Sequence, residues 1–187
     1  MRQIKIHDKY FVPYISSRRI AAAVRRVAER LNRKYGEGEP AERPPVVVSV
    51  LNGAFMFTAE LVQRFSFECE ICFIKVSSYG EGMESKGRLC ELIGLNCDIR
   101  GRDVILIDDI VDSGFTMNRL VEALWREQPR SVAVTAFIYK PQACKYPVKV
   151  DFAAITMSDS AFIVGHGLDY NQQGRALKDI YILDEQQ

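Results

Sequence analysis

No run in the chain approaches the roughly 20 apolar residues a helix needs to cross a bilayer, so a helical membrane span is not expected. A dominant charge sign is missing too. Its 25 Lys and Arg against 24 Asp and Glu leave a net +1, which argues against a whole surface given over to nucleic acid or membrane, while a local patch remains possible. Internal repeats and low-complexity tracts are absent. No second cysteine pair or histidine stands near the Cys69-x-x-Cys72 pair. Cys69, Cys72, Cys90, Cys97 and Cys144 therefore do not spell a zinc or redox site, and reduced thiols in a cytoplasmic protein are the expectation. The first 20 residues are dotted with basic side chains and hold no apolar stretch of signal-peptide length, so no secretory leader is expected.

What remains is a length of 187 residues, which suits one well-buried domain. Residues 1–15, with Pro13, read as an irregular arm or short strand. From Ser16 to Tyr35 the apolar residues Ile20, Ala23, Val24, Val27, Ala28 and Leu31 recur at helical spacing, with serine to start the helix and Gly36 to stop it. Arg18, Arg19, Arg25, Arg26 and Arg30 are expected on its solvated face. A Gly- and Pro-containing loop leads to a central strand, Val46 to Leu51, then an Asn52-Gly53 turn and a helix from Ala54 to about Phe65. Strands at Glu70–Val76, 104–107 and 131–138 follow, with a helix over 116–127 and short strands around 151–157, 161–164 and 179–183. Residues 78–92 carry no periodicity; a loop of that length is either functional or disordered. Strands alternating with helices predict an α/β fold, with a mostly parallel twisted sheet flanked by helices.

Chemistry concentrates in Val104-Ile105-Leu106-Ile107-Asp108-Asp109-Ile110-Val111-Asp112-Ser113-Gly114-Phe115-Thr116. A buried parallel strand runs into two carboxylates, a third follows, and Ser, Gly and Thr precede a helix. Carboxylates at the C-terminal end of such a strand lie where open α/β sheets bind ligands. Free amides and hydroxyls at a helix start suit a phosphate. Asp108, Asp109 and Asp112 spell DDxxD, the magnesium-diphosphate signature of isoprenoid synthases, but that motif belongs on a helix. A nucleotide triphosphatase reading needs a phosphate loop ending Gly-Lys-Ser/Thr; the nearest approach, Gly82 to Gly87, is followed by Arg88-Leu89. Taken alone, Asp112 can equally cap the following helix.

The full string resembles the phosphoribosyl-pyrophosphate (PRPP) signature of type I phosphoribosyltransferases. Four more stretches are similar to the hypoxanthine-guanine branch of that family, in the right order: Val50-Leu51-Asn52-Gly53-Ala54-Phe55-Met56-Phe57, Ser77-Ser78-Tyr79-Gly80, Phe137-Ile138-Tyr139-Lys140-Pro141, and Phe162-Ile163-Val164-Gly165-His166-Gly167-Leu168-Asp169-Tyr170-Asn171, with Arg175 beyond. The resemblance implies one domain with a core over about 40–150 and a hood from about 1–15 and 151–187. It implies transfer of the 5-phosphoribosyl group of PRPP to hypoxanthine or guanine, giving IMP or GMP and pyrophosphate in purine salvage, with Mg2+. Asp112 would be the general base at purine N7. Asp108 and Asp109 would meet the ribose hydroxyls and, with Asp169, magnesium. Ser113, Gly114, Phe115 and Thr116 would hold the 5′-phosphate. Leu51, Asn52, Gly53, Ser78, Tyr79 and Arg175 would face pyrophosphate. Lys140 would donate to the 6-oxo group, Phe162 would stack on the purine, and the Ile163 backbone would read its N1 and C2 edge. Residues 78–92 would be a lid. His166 is given no catalytic role. Two positions depart from the family: Asp108 where Glu is usual, and Asn52 where many relatives have Lys after a peptide that is often cis. A homodimer or homotetramer is implied, with no nucleic-acid or membrane partner. A PRPP-sensing regulator on the same fold is the competing reading, and would be expected to add a DNA-binding domain or a basic face.

Overall fold

Five aliphatic-rich segments form the centre of the molecule, four of them largely buried and the fifth, Glu70–Val76, presenting Ile71 and Phe73 to solvent. The structure is a computed structural model that describes residues 3–37, 43–76, 92–93, 95–158 and 161–185. Its elements in chain order are β1 (Ile4–Ile6), β2 (Lys9–Ile15), α1 (Ser17–Tyr35), β3 (Val46–Leu51), α2 (Phe55–Val62), β4 (Glu70–Val76), β5 (Leu92–Ile93), β6 (Asp103–Val111), α3 (Phe115–Arg126), β7 (Ser131–Tyr139), β8 (Phe152–Thr156), β9 (Ile163–Val164) and β10 (Ile180–Leu183). The core sheet has the order β5-β4-β3-β6-β7-β8. Strands β4, β3, β6, β7 and β8 run parallel, and β5 joins the edge of β4 antiparallel.

Alternation along each strand sends side chains into two separate cores. Val47, Ile105, Ile107 and Phe137 meet α1 and α2 on one face. Val46, Val48, Leu106 and Val134 meet Met117, Leu120 and Leu124 of α3 on the other. With helices on both faces, the parallel strands need no polar alternation. All six apolar positions of α1 named from its periodicity are buried. Its N-terminus is capped from a distance: Ser16 makes no side-chain cap, and the Asp179 carboxylate accepts the Ser17 N–H at 2.5 Å. An anion is favourable there against the helix dipole.

A second, antiparallel sheet of order β1-β2-β10-β9 lies beside the first. The segment expected as an irregular arm is therefore a hairpin. Pro13 is tolerated because the β2–β10 ladder slips between Ile15–Ile180 and Pro13–Tyr181, leaving a bulge beside a residue that has no N–H to donate. The expected division at residue 151 also moves, since β8 pairs with β7 in the core sheet. Strand β6 is longer than its aliphatic run, because β7 continues beside it as far as the Val111–Tyr139 pair. The expectation of thiols throughout is corrected at one place: Cys72 of β4 and Cys97 form a disulfide, while Cys69 and Cys144 are free. Cys90 lies outside the described residues. Among the described residues, no helix is long and apolar enough to cross a membrane.

Leu31 is completely buried between α1 and the sheet. Leu31→Ala should lower the unfolding free energy by about 2–5 kcal/mol, the cost of a buried methyl-group deletion with partial collapse, measured as a shifted urea midpoint at unchanged m-value.

Candidate active site

The C-terminal ends of β3, β6 and β7 open on one side of the core sheet, and the second sheet stands over them. At the end of β3 the chain turns through a cis Leu51–Asn52 peptide into Gly53. Gly53 is required by contact. A Cβ placed on it would lie 1.5 Å from Oδ2 of Asp109, so the carboxylate rests directly on the turn. From the other side, Gly167 approaches so closely that its own Cβ would stand 2.0 Å from the Gly53 carbonyl. Its φ of +100° independently favours glycine.

Asp108 and Asp109 lie within β6. Asp108 is buried, and its Oδ1 accepts the Asp109 N–H at 2.9 Å. Burial raises its carboxyl well above the ordinary range, and the neighbouring Asp109 adds to the rise. Burial raises Asp109 too, although the Arg175 guanidinium pulls in the opposite direction. Both carboxyls thus hold a proton more tightly than free carboxylates do.

Beyond Val111 the chain forms the loop read as a phosphate cradle. Gly114 adopts φ +80° and starts α3, accepting the Asn118 N–H at 2.9 Å. Ser113 is fixed through its carbonyl, which accepts from the Lys145 and Tyr146 N–H groups at 2.9 and 3.1 Å. Its Oγ accepts weakly from the Phe115 N–H at 3.4 Å. The Phe115 ring meets Tyr146 edge-on at 5.0 Å. Thr116 lies exposed in the first turn of α3.

Asp112 projects outward, and its carboxylate stands 3.8 Å from the Lys140 ammonium. Lys140 is only 3% exposed and donates to the Ala161 carbonyl at 2.8 Å. The next residue, Phe162, is 43% exposed, with Phe11 and Tyr170 around its ring. Ile163 is buried in β9 and pairs with Ile182. Asp169 and Arg175 form an ion pair at 2.8 Å, and Arg175 also donates to the Gly167 carbonyl at 2.8 Å.

The structure thus gathers Leu51 to Gly53, Asp109, Gly167 and Arg175 around one point, and Asp112, Lys140 and Phe162 around another. Of the three carboxylates assigned to magnesium it brings two together, Asp108 and Asp109 in β6. Among the described residues no three His, Cys, Asp or Glu side chains form a ready cation site, and Asp169 is engaged with Arg175. Ser78, Tyr79 and most of the expected lid, 78–92, lie outside the described residues. Several neighbours of the site were not legible in the sequence. Lys9 of the first hairpin sits over the Phe162 and Tyr170 rings at 5.9 and 5.0 Å. Asp8 accepts from the Tyr170 hydroxyl at 2.8 Å, and the Cys144 thiol donates to the Asp112 carbonyl at 3.1 Å. Separation along the chain hides the first two. The third sits in a loop without a periodic signal.

Because folding raises the Asp108 carboxyl, the folded state binds more protons than the unfolded chain above the ordinary carboxylate range. This contribution is favourable at low pH and is lost as pH climbs through the raised value. Asp108→Asn should remove it, so urea midpoints of variant and wild type should diverge in favour of the variant as pH rises from 4 to 8.

Comparison with known proteins agrees with this geometry. A family model described as "Phosphoribosyl transferase domain" matches residues 14–171. A hypoxanthine-guanine phosphoribosyltransferase of Aquifex aeolicus is 35% identical over 87% of this chain and 90% of its own length. A hypoxanthine phosphoribosyltransferase of Salmonella typhimurium is 36% identical over 89% and 91%. Among solved structures, a ternary substrates complex of a Trypanosoma cruzi hypoxanthine phosphoribosyltransferase variant superposes with a TM-score of 0.82 at 32% identity, covering 92% of this chain and 95% of that one. The parallel sheet, the hood and the PRPP-type loop of this chain are those of a phosphoribosyltransferase, and the chain belongs to the hypoxanthine-guanine phosphoribosyltransferases.

Proposed function

We propose that the enzyme transfers the 5-phosphoribosyl group of PRPP to hypoxanthine and guanine, giving IMP or GMP and pyrophosphate, with Asp112 as the general base. The observation that carries this reading is one cluster: the Asp112 carboxylate 3.8 Å from Lys140, and Lys140 bonded to the carbonyl just before the exposed Phe162 ring. A 6-oxopurine stacked on Phe162 offers an oxygen to the Lys140 ammonium and an N7–H to Asp112. As a purine ring nitrogen attacks C1′ and the bond to pyrophosphate breaks, the N7 proton passes to Asp112. The Ile163 backbone reads the N1 and C2 edge. Adenine presents an amino group where the ammonium needs an acceptor, and a closed site penalises that unpaired partner.

At the other end of the reacting bond, the amides of Leu51 to Gly53 and the Arg175 guanidinium face the pyrophosphate, and Ser113 to Thr116 hold the 5′-phosphate through charge-assisted hydrogen bonds. Asp108 and Asp109 present only oxygen donors, and burial leaves them short of compensating positive charge. That donor set fits Mg2+, which binds through one or two carboxylates, substrate oxygens and retained waters. Asp108, Asp109 and, once released from Arg175, Asp169 would hold it. When bound, the ion would neutralise charge on the pyrophosphate. We place the enzyme in the cytoplasm as a homodimer or homotetramer, with exposed Ile71 and Phe73 on β4 as apolar surface for such contacts.

A spectrophotometric panel of hypoxanthine, guanine, xanthine and adenine with PRPP and magnesium tests the reading. Turnover on hypoxanthine and guanine but not adenine is expected; no turnover on any base would support a PRPP-sensing regulator instead. Asp112→Asn should lower turnover by roughly 10²–10⁴ while PRPP still binds by calorimetry, and near-normal turnover would remove Asp112 as the base.

A further inference from the structure

The near-zero net charge of the chain conceals a strong polarity. Seven of its 25 Lys and Arg but one of its 24 Asp and Glu fall in α1, so this helix carries +6 and the rest of the chain −5. Arg18, Arg19, Arg25, Arg26, Arg33 and the single acid Glu29 are all exposed. None of these five arginines has an ion-pair or side-chain hydrogen-bond partner among the described residues, whereas Arg30 is engaged with the Asp151 carbonyl and the Phe152 ring. At 100° per residue the five fall within about 120° of arc, and they extend about 22 Å along the axis. Each guanidinium repels the others, so the surface spends free energy holding unneutralised charge in a line.

From this arrangement we infer that the outer face of α1 binds the sugar–phosphate backbone of duplex nucleic acid without reading its sequence. Arg18/Arg19, Arg25/Arg26 and Arg33 stand about 11 Å apart along the axis, with Glu29 as the one acid inside their arc. This repeat of positive charge suits a polymer of regularly spaced phosphates, guanidinium being the side chain best shaped for bidentate phosphate contact. Other anionic partners fit less well. The apolar side of α1 is locked in the core, and its outer face exposes no Leu, Phe or Trp, so it has nothing to bury in a lipid surface. The same lack leaves no aromatic or aliphatic anchor for the centre of a protein interface. Nor does this face itself carry an aromatic ring on which the bases of a single strand could stack. The face is built from the outside of α1, whereas the substrate residues lie at the C-terminal ends of β3, β6 and β7, so both can be occupied together.

The test is fluorescence anisotropy of a labelled 24-base-pair duplex of mixed sequence titrated with the full chain at several salt concentrations. Neutralising about five phosphates predicts a slope of log K on log salt near −4.5, hence a loss of affinity on the order of 10²–10³ between 50 and 200 mM salt. Arg25→Gln/Arg26→Gln/Arg33→Gln should flatten the slope by about 0.9 for each arginine removed, with kcat/KM for PRPP and hypoxanthine unchanged. Glu29→Lys should tighten binding instead, a gain that misfolding cannot produce. Absence of binding at 50 mM salt would overturn the proposal. So would equal binding by the triple variant, or capture by anionic phosphatidylserine vesicles but not by the duplex.

Discussion

The site depends on a missing side chain. Gly53 lets the Asp109 carboxylate lie against the turn after β3, and Gly167 lets the hood come down on the same turn from above. Three segments that are far apart in sequence thereby share one point. Any Cβ at Gly53 would push the β6 carboxylate away from the turn after β3, and one at Gly167 would lift the hood. Arg175 then links the layers: it bonds to the Gly167 carbonyl, pairs with Asp169 and lowers the proton affinity of Asp109. Close packing of backbone on backbone sets the distance between the charges.

A second link joins the loops after β6 and β7, each proposed to hold one part of the substrate. The segment following β7 is stitched to the segment following β6 at successive positions: Lys140 N–H to the Val111 carbonyl, Cys144 to that of Asp112, Lys145 and Tyr146 to that of Ser113, and the Asn118 side chain to that of Pro147. The residues proposed for the purine and those proposed for the 5′-phosphate therefore belong to one hydrogen-bonded unit. A shift of either loop moves the other.

Much of this was legible in the sequence, for identifiable reasons. The aliphatic runs Val46 to Leu51 and Val104 to Ile107 could only be strands buried on both faces, and α1 shows its buried stripe residue by residue. The PRPP-type string supplied the loop, since strand, acids and Gly must sit at fixed spacing. Other features depend on contacts that periodicity does not encode. The hairpin of residues 4–15 looked irregular because Pro13 is accommodated by a bulge in a ladder formed with residues near 181. The Cys72–Cys97 pairing joins β4 to the loop after β5, which runs back alongside β4. The Lys9 ammonium over Phe162 and the Asp179 cap on α1 join positions more than 150 residues apart.

The order of strands in the hood has a consequence for biosynthesis. Strand β10 lies between β2 and β9, and it is the last of the described strands to be made. By the time β8 has been made, every strand of the parallel sheet exists and can pair. The hood at that moment holds only a hairpin at its N-terminal side, with no central strand to receive β9. A nascent chain can therefore fold its parallel sheet while still tethered to the ribosome, yet has no completed hood sheet beside Phe162 until residues 180–183 emerge. On the proposed reading of Phe162, the purine side of the site would then be completed after the parallel sheet, not with it.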